Sequence, residues 1–164
     1  MTMNYIGSCL CGKVKFEVTG SLPSPDACHC SNCRKFSGHF FVSTDIPRSA
    51  LNIQGEENIT WYHSSGKARR GFCSICGSSL FWDPILKDWI GIAMGAFDKP
   101  THTKLSRHIW TSDKGDYYDI TDNILQNPQW FIIVWSCHRD LQVACSLLCY
   151  IPIGKHDKPE CETC

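Results

Sequence analysis

The chain has 164 residues, which is enough for one domain with a sizeable apolar core. Its 16 Lys and Arg side chains are matched by 16 Asp and Glu side chains, so the formal net charge is zero. We therefore expect no nucleic-acid partner and no membrane partner. The opening stretch, MTMNYIGSCL, has neither the basic nor the apolar region of a secretory signal, so the cytoplasm, a reducing compartment, is the expected location.

Short segments rich in aromatic and β-branched residues follow one another along the chain. Taken in order, they predict β-strands over residues 13–18, 39–44, 51–53, 59–63, 79–82, 89–94 and 108–110. Residues 28–36 are expected to form a turn or one helical turn, and turns containing Gly, Pro or Ser separate the strands. This pattern predicts an all-β fold of small antiparallel sheets.

The pattern of apolar and polar residues changes after Pro128. An apolar run over 130–135 is followed by polar residues and then by Leu141, Ala144 and Leu148 at helical spacing. Neither apolar stretch has the length of a membrane span. We therefore divide the chain into a domain over 1–128 and an extension over 129–164, expected to be helical and then disordered.

Seven of the 12 cysteines lie in the first half of the chain and form three groups. The first is a C-x-C pair, the second a C-x-C-x-x-C cluster and the third a C-x-x-C pair: Cys9 and Cys11; Cys28, Cys30 and Cys33; Cys73 and Cys76. Four thiolates close a tetrahedral zinc site, whereas three leave one position open. The grouping predicts two zinc sites, one structural and one reactive.

The two pairs, Cys9 with Cys11 and Cys73 with Cys76, can share one ion from two distant turns. Each pair is followed by glycine, Gly12 or Gly77, which permits the sharp backbone turn of a zinc knuckle. A closed site of this kind would hold the fold together. The alternative is that these cysteines are free and buried.

Cys28, Cys30 and Cys33 can reach one ion from a single tight turn. His29 lies between two of them, so its side chain is expected to point away from the ion. The alternative is a second structural site completed by His39 or His63. A redox role for Cys30 and Cys33 lacks the alternating strand and helix setting of a thioredoxin motif.

Several motifs together resemble the glutathione-dependent formaldehyde-activating family, also called the centromere protein V domain family. They are GSCLCG at 7–12, CHCSNCRK at 28–35, SG at 37–38, SSG at 64–66, FCSICGS at 72–78 and HIW at 108–110. The resemblance covers about residues 4–128 in order, and the combined cysteine pattern is specific. The extension beyond Pro128 has no counterpart in this pattern.

The resemblance implies a β-tent-like fold of small coiled sheets joined by zinc. It implies a structural zinc on Cys9, Cys11, Cys73 and Cys76, and a catalytic zinc on Cys28, Cys30 and Cys33. The implied reaction is that of a carbon–sulfur lyase, which joins or separates glutathione and formaldehyde through S-hydroxymethylglutathione. The implied partner is therefore a small thiol such as glutathione.

Four side chains are candidates for binding this substrate or for stabilising charge on its oxygen: Lys35, Arg69, Arg70 and His108. A guanidinium matches a carboxylate, so the two arginines could instead hold the carboxylates of glutathione. For each of the four the plainer interpretation is favoured, namely an ordinary surface charge or, for His108, a structural histidine. Nearby aromatic residues are expected in the core instead: Trp61, Tyr62, Phe81 and Trp82.

Two other functions remain open from the sequence. A non-enzymatic zinc module could bind a protein or chromatin partner, although the neutral composition shows no basic stripe for chromatin. A zinc-containing methionine sulfoxide reductase ranks last, because it would need two C-x-x-C pairs and a separate catalytic cysteine.

Overall fold

A computed structural model describes residues 3–129. In this part of the chain there are eleven strands and one α-helix: β1 (Asn4–Ser8), β2 (Lys15–Thr19), β3 (Asp26–Cys28), α1 (Ser31–Ser37), β4 (Phe41–Pro47), β5 (Leu51–Gln54), β6 (Ile59–His63), β7 (Arg69–Cys73), β8 (Ser79–Asp83), β9 (Trp89–Ala93), β10 (Arg107–Ile109) and β11 (Leu125–Asn127). Short 3₁₀ helices lie at Arg48–Ala50, Glu56–Asn58, Met94–Ala96 and Thr111–Asp113.

The strands form two sheets. One sheet has three strands in the order β1-β2-β5, and the other has eight in the order β11-β10-β3-β4-β9-β8-β7-β6. The all-β fold expected from the sequence is confirmed. Pairing is antiparallel except at β10, which runs parallel to both β3 and β11. Parallel neighbours need a long connection, and the chain between β3 and β10 provides one.

Apolar side chains from both sheets meet in one core. Strand β2 contributes Phe16 and Val18, which alternate with outward-facing residues as its sequence predicts. The ring of Phe16 packs edge-to-face against Phe81 of β8 at 5.9 Å and Phe97 at 5.1 Å between ring centres. Such contacts stabilise aromatic pairs beyond the burial of their area, so the core fixes the small sheet against the large one.

Several elements differ from the sequence prediction. The sequence did not indicate four of the strands, namely β1, β3, β7 and β11. The strand predicted over 39–44 begins at Phe41 and continues to Pro47, because Asp45 and Ile46 pair with Gly91 and Ile90 of β9. Pairing with a neighbouring strand therefore extends β4 into residues expected to form a loop.

None of the helices in residues 3–129 is long and apolar enough to cross a membrane. The expectations for the extension, a helix followed by a disordered tail, lie outside the described residues. They remain predictions, as does the domain boundary at residue 128.

Candidate metal centres and the cavity beside them

The four cysteines of the two pairs meet at one point. The sulfurs of Cys9, Cys11, Cys73 and Cys76 all lie within 4.8 Å of one another. The Sγ of Cys11 is 3.5 Å from that of Cys9 and 3.8 Å from that of Cys73. Zinc with Zn–S bonds of about 2.3 Å needs sulfurs about 3.8 Å apart in a tetrahedron. The donor set and its spacing therefore fit a closed four-thiolate zinc site.

Two tight turns carry these cysteines. In the first, the Gly12 N–H donates to the Cys9 carbonyl at 3.0 Å, and in the second the Gly77 N–H donates to the Cys73 carbonyl at 2.8 Å. Both glycines have left-handed backbone, with φ of 70° and 75°, which other residues adopt only with strain. The Val14 N–H also donates to the Cys9 Sγ at 3.3 Å, and such a bond stabilises a thiolate.

The remaining three cysteines cluster where β3 leads into α1. Cys28 ends the strand, Cys30 caps the N-terminus of the helix and Cys33 lies inside it. Their sulfurs lie within 4.8 Å of one another, and the Cys33 N–H donates to the Cys30 Sγ at 3.4 Å. Neither His39 nor His63 joins this group of metal-ligating atoms among the described residues. The cluster therefore offers an ion three protein ligands.

The three sulfurs also govern one another's protonation. Hydrogen bonds first from Cys28 and then from Cys33 hold the pKa of Cys30 far below that of a free thiol. The same contacts, first with Cys30 and then with Cys33, raise the pKa of the Cys28 thiol far above its ordinary value. Thiolates this close repel one another, so deprotonation of one cysteine disfavours deprotonation of the other two. A bound cation would offset this repulsion and let all three act as thiolates.

A cavity of about 420 Å³ opens beside this cluster. All three cysteines border it. Its other walls combine aromatic surface with a few polar groups, among them Phe41, Trp82, Trp110, Ser43 and Asp113. A largely apolar cavity with few polar groups is typical of a small-molecule site. The three-cysteine cluster therefore lies where a small ligand can reach it.

Arg70 is the candidate substrate residue that lines this cavity. Its side chain is 5% exposed, and its Nη1 atom donates to the Cys33 Sγ at 3.7 Å. Arg69 belongs to the opposite side of β7, where its Nε donates to the Asp83 carboxylate at 2.8 Å and its guanidinium covers the Trp61 ring at 4.2 Å. The period of two in a strand thus separates the two arginines.

The other two candidates, Lys35 and His108, do not border the cavity. Lys35 is exposed on α1, and His108 is buried. Lys35, Arg69 and His108 do not line the cavity. Their substrate-binding roles therefore remain predictions from the sequence.

His108 belongs instead to a chain of hydrogen bonds beneath the three-cysteine turn. Its Nδ1 lies 2.8 Å from the His29 Nε2, and its Nε2 lies 3.0 Å from the Asp122 carboxylate. The His29 Nδ1 lies 2.5 Å from the Tyr118 hydroxyl. His29 therefore makes its contacts with His108 and Tyr118, in keeping with the expectation that it would not face the ion.

One assignment of protons gives every group in this series of hydrogen bonds a donor or an acceptor as its partner. Burial, and then the nearby His108, lower the pKa of His29 to about 4, so His29 is neutral at pH 7. Tyr118 O–H then donates to His29 Nδ1, His29 Nε2–H to His108 Nδ1, and His108 Nε2–H to Asp122. Asp122 and Tyr118 could not be identified from the sequence, because contacts between residues this far apart along the chain leave no local signal.

The aromatic residues expected in the core divide between two environments. Phe81 is fully buried and Trp61 packs against the core, whereas Tyr62 is exposed and Trp82 lines the cavity. The core assignment was therefore wrong for Tyr62, whereas Trp82 both packs against a second buried cluster and lines the cavity. The alternation of side chains along a strand could have separated Trp82 from its neighbour Phe81.

Comparison with known proteins supports the resemblance seen in the sequence. The profile of the family described as glutathione-dependent formaldehyde-activating enzyme matches residues 4–113, about two thirds of the chain. The chain belongs to this family. Among the similar proteins in the glutathione-dependent formaldehyde-activating family is one from Halomonas elongata, named as a candidate enzyme of this type. It is 30% identical over 124 residues, which are 70% of this chain and 79% of the relative.

A second relative comes from Schizosaccharomyces pombe and is named an uncharacterized lyase. It is 28% identical over 127 residues, which are 72% of this chain and 86% of the relative. A crystal structure of a Rhodobacter sphaeroides protein matches with a TM-score of 0.50 and 24% identity, covering 62% of this chain and 99% of that protein. At this identity the structural match supports the fold alone. The family match gives no support to the methionine sulfoxide reductase alternative.

Proposed function

We propose that this family member is a zinc-dependent carbon–sulfur lyase that acts on a thiol–aldehyde adduct such as S-hydroxymethylglutathione. The observation that carries the proposal is the contrast between the two cysteine groups. Four sulfurs complete one group, whereas three sulfurs at the wall of a cavity leave room for a ligand in the other. The names of the relatives, a formaldehyde-activating enzyme and a lyase, support the same reaction class.

Zinc held by Cys28, Cys30 and Cys33 would supply a place where a substrate sulfur is kept as thiolate at neutral pH. The protein's own contribution is to hold the three sulfurs together and to shape the space beside them. Phe41, Trp82 and Trp110 give that space apolar walls, and charges beside apolar walls interact more strongly than they do in bulk water.

The proposed reaction balances without an oxidant or reductant. In the lyase direction the adduct's hydroxyl gives its proton to water and its carbon–sulfur bond breaks. The electron pair of that bond leaves with the sulfur while the carbon–oxygen double bond of formaldehyde forms. Arg70 lies beside Cys33 at the cavity wall. Its positive charge is placed to stabilise negative charge on the departing sulfur or on the adduct's oxygen.

The alternative is a zinc module that binds a protein partner without catalysis. One observation favours it: the turns of the four-cysteine site expose Leu10 and Ile75, whose side chains are 88% and 58% accessible. Exposed apolar residues at the tips of rigid turns can contact a partner. This alternative gives no role to the cavity beside the three-cysteine cluster, so we favour the lyase.

Exchange between glutathione and S-hydroxymethylglutathione tests the lyase proposal. Magnetization-transfer NMR with ¹³C-formaldehyde measures this exchange at equilibrium, where the uncatalysed reaction sets the background. We expect the zinc-loaded protein to raise the exchange rate above that background. Cys30→Ser should abolish the increase and lower bound zinc from two ions per chain to one.

His63→Ala provides the control, because it removes an exposed candidate ligand on β6 that lies outside both cysteine groups. It should keep both zinc ions and the full rate. A fully loaded protein that leaves the exchange rate at the background value, or a Cys30→Ser protein as fast as the parent, would contradict the lyase proposal.

A further inference from the structure

Arg70 is a buried cation beside the three-cysteine cluster. It is the second residue of β7, opposite Tyr62 on one side and Trp82 on the other. Its guanidinium carbon lies 5.4 Å from the centre of the Phe36 ring, and its Nη1 donates to Cys33. Two elements packed against the cavity, α1 and β8, thus fix the charge close to the sulfurs.

Burying this guanidinium is costly unless negative charge lies near it. Within the part of the chain that the structure describes, the Nε of Arg70 is buried and makes no hydrogen bond. Its Nη1 meets a cysteine sulfur, which is a weak acceptor as a thiol and a strong one as a thiolate. Negative charge on the cysteine cluster would therefore stabilise Arg70, in addition to any from the carboxylates of Asp45 and Asp113 that line the same cavity.

The net charge of the metal-loaded cluster indicates the role of Arg70. A divalent ion on three thiolates would leave one net negative charge on the cluster, and Arg70 is a cation in contact with it. A neutral fourth ligand would leave that charge unchanged, whereas a thiolate would add a second negative charge near the carboxylates of Asp26, Asp45 and Asp113, which also line the cavity. Because the cluster is partly buried, a nearby cation lowers the cost of this second charge. The guanidinium thus matters most when the fourth ligand is an anion.

We propose that Arg70 is the fixed counter-charge that selects a thiolate, rather than a neutral ligand, for the open position of the three-cysteine site. The inference rests on the proposed function in requiring a metal on Cys28, Cys30 and Cys33. Arg70 acts on the charge of the incoming sulfur and needs no carboxylate on the substrate. A thiol that binds there as thiolate would release its proton to solvent.

Cobalt substitution makes this selection measurable. Co²⁺ replaces zinc in thiolate sites, and sulfur coordination gives charge-transfer absorption that changes when the ligand set changes. The four-cysteine site is closed and contributes a constant background. Titration with 2-mercaptoethanol, which has no carboxylate, reports thiolate binding, and titration with imidazole at a pH where it is neutral reports binding of an uncharged ligand.

Arg70→Gln should weaken 2-mercaptoethanol binding by about 10- to 100-fold, the range for a lost charge-assisted hydrogen bond. It should change imidazole binding much less, so the ratio of the two affinities falls. Arg70→Met, whose side chain can still pack on Phe36, should behave in the same way and serves if the Gln variant does not fold. Arg70→Lys restores a charge and should recover most of the ratio.

Arg48→Gln is the matched control. It removes a positive charge on the far side of the sheet, where Asp83 keeps Arg69 as a partner. It should leave both affinities unchanged. Equal losses for both ligands in the Arg70 variants, or an unchanged affinity for 2-mercaptoethanol, would overturn the counter-charge role. A parent protein whose cobalt spectrum responds to neither ligand would instead refute the open site on which the proposed function depends.

Discussion

Single glycines fix the geometry of the four-cysteine site. Gly77 follows Cys76 with φ of 75°, and a Cβ built on it would meet no atom within 4 Å. Space is therefore available for a side chain, and only the backbone conformation resists one. The same holds for Gly12 after Cys11, with φ of 70°. The two turns that bring the sulfurs together depend on backbone that other L-residues adopt with strain.

Gly77→Ala should lower the free energy of unfolding by about 1–2 kcal/mol, the cost of left-handed backbone for a residue with a Cβ. Gly66→Ala is the control, since that glycine also has open space around it but no left-handed φ. It should be neutral or slightly stabilising. Urea denaturation of the zinc-loaded proteins measures both. Equal effects of the two substitutions would show that the turn after Cys76 is not held in this conformation.

At the scale of elements, the pairing of β3 with β10 places two histidines side by side. His108 lies within β10 and pairs with Ala27 of β3, one strand residue before Cys28. The hydrogen bonds that run from Tyr118 through His29 and His108 to Asp122 connect these strands to the loop that precedes β11. A network whose polar groups are satisfied makes an arrangement more specific, and here the two histidines are buried while Asp122 is exposed. This network therefore supports the backbone that carries Cys28 and Cys30.

Tyr118→Phe tests this support. The pKa of Tyr118 is raised because burial disfavours the phenolate, so its hydroxyl is protonated and donates to the buried His29. Removing the hydroxyl leaves the His29 Nδ1 without its donor and should cost about 1–3 kcal/mol of unfolding free energy.

Tyr117→Phe is the matched control for this substitution. Its hydroxyl lies 3.0 Å from the His39 Nδ1, but its side chain is 60% exposed. Water can replace that contact, so the change should stay within about 0.5 kcal/mol. Chemical denaturation compares the two variants under identical conditions. A Tyr118→Phe protein as stable as Tyr117→Phe would mean that the network contributes nothing measurable.

Local sequence predicted some elements well and others not at all. The bounds of β6, residues 59–63, were predicted correctly, because its β-branched and aromatic residues form a short run before a Ser and Gly turn. By contrast, β7 reads Arg-Arg-Gly-Phe-Cys and lacks apolar alternation. It is a strand because β6 and β8 pair with it on both sides. Its arginines could therefore not be placed from the sequence.

At the scale of the whole molecule, the four-cysteine site joins the N-terminal turn after β1 to the turn between β7 and β8. The Leu10 N–H donates to the Ser78 Oγ at 3.0 Å, a second link between these turns. Apparent binding energies of structural zinc are about 10–16 kcal/mol in small modules. Typical domains are stable by only about 5–15 kcal/mol. The ion can therefore decide whether this fold is stable.

Cys76→Ser should unfold the domain or lower its midpoint of thermal unfolding severely, because it opens this site. Cys30→Ser should leave the midpoint close to that of the parent, since the three-cysteine cluster is not needed to join the sheets. Circular dichroism and zinc content, measured on the same samples, compare the variants. A folded, stable Cys76→Ser protein would contradict a structural role, and collapse of Cys30→Ser would move the second cluster into the structural class.

The sequence by itself determined the donor groups and the strand-rich class. Cysteine spacings of one or two residues are local, so the two pairs and the triplet could be recognised before any fold was known. Only the tertiary structure brought Cys11 to 3.8 Å from Cys73. It also turned Arg70 toward Cys33 and Arg69 toward Asp83. The physical reason is that strand pairing and packing, which join distant residues, decide the face on which each side chain lies.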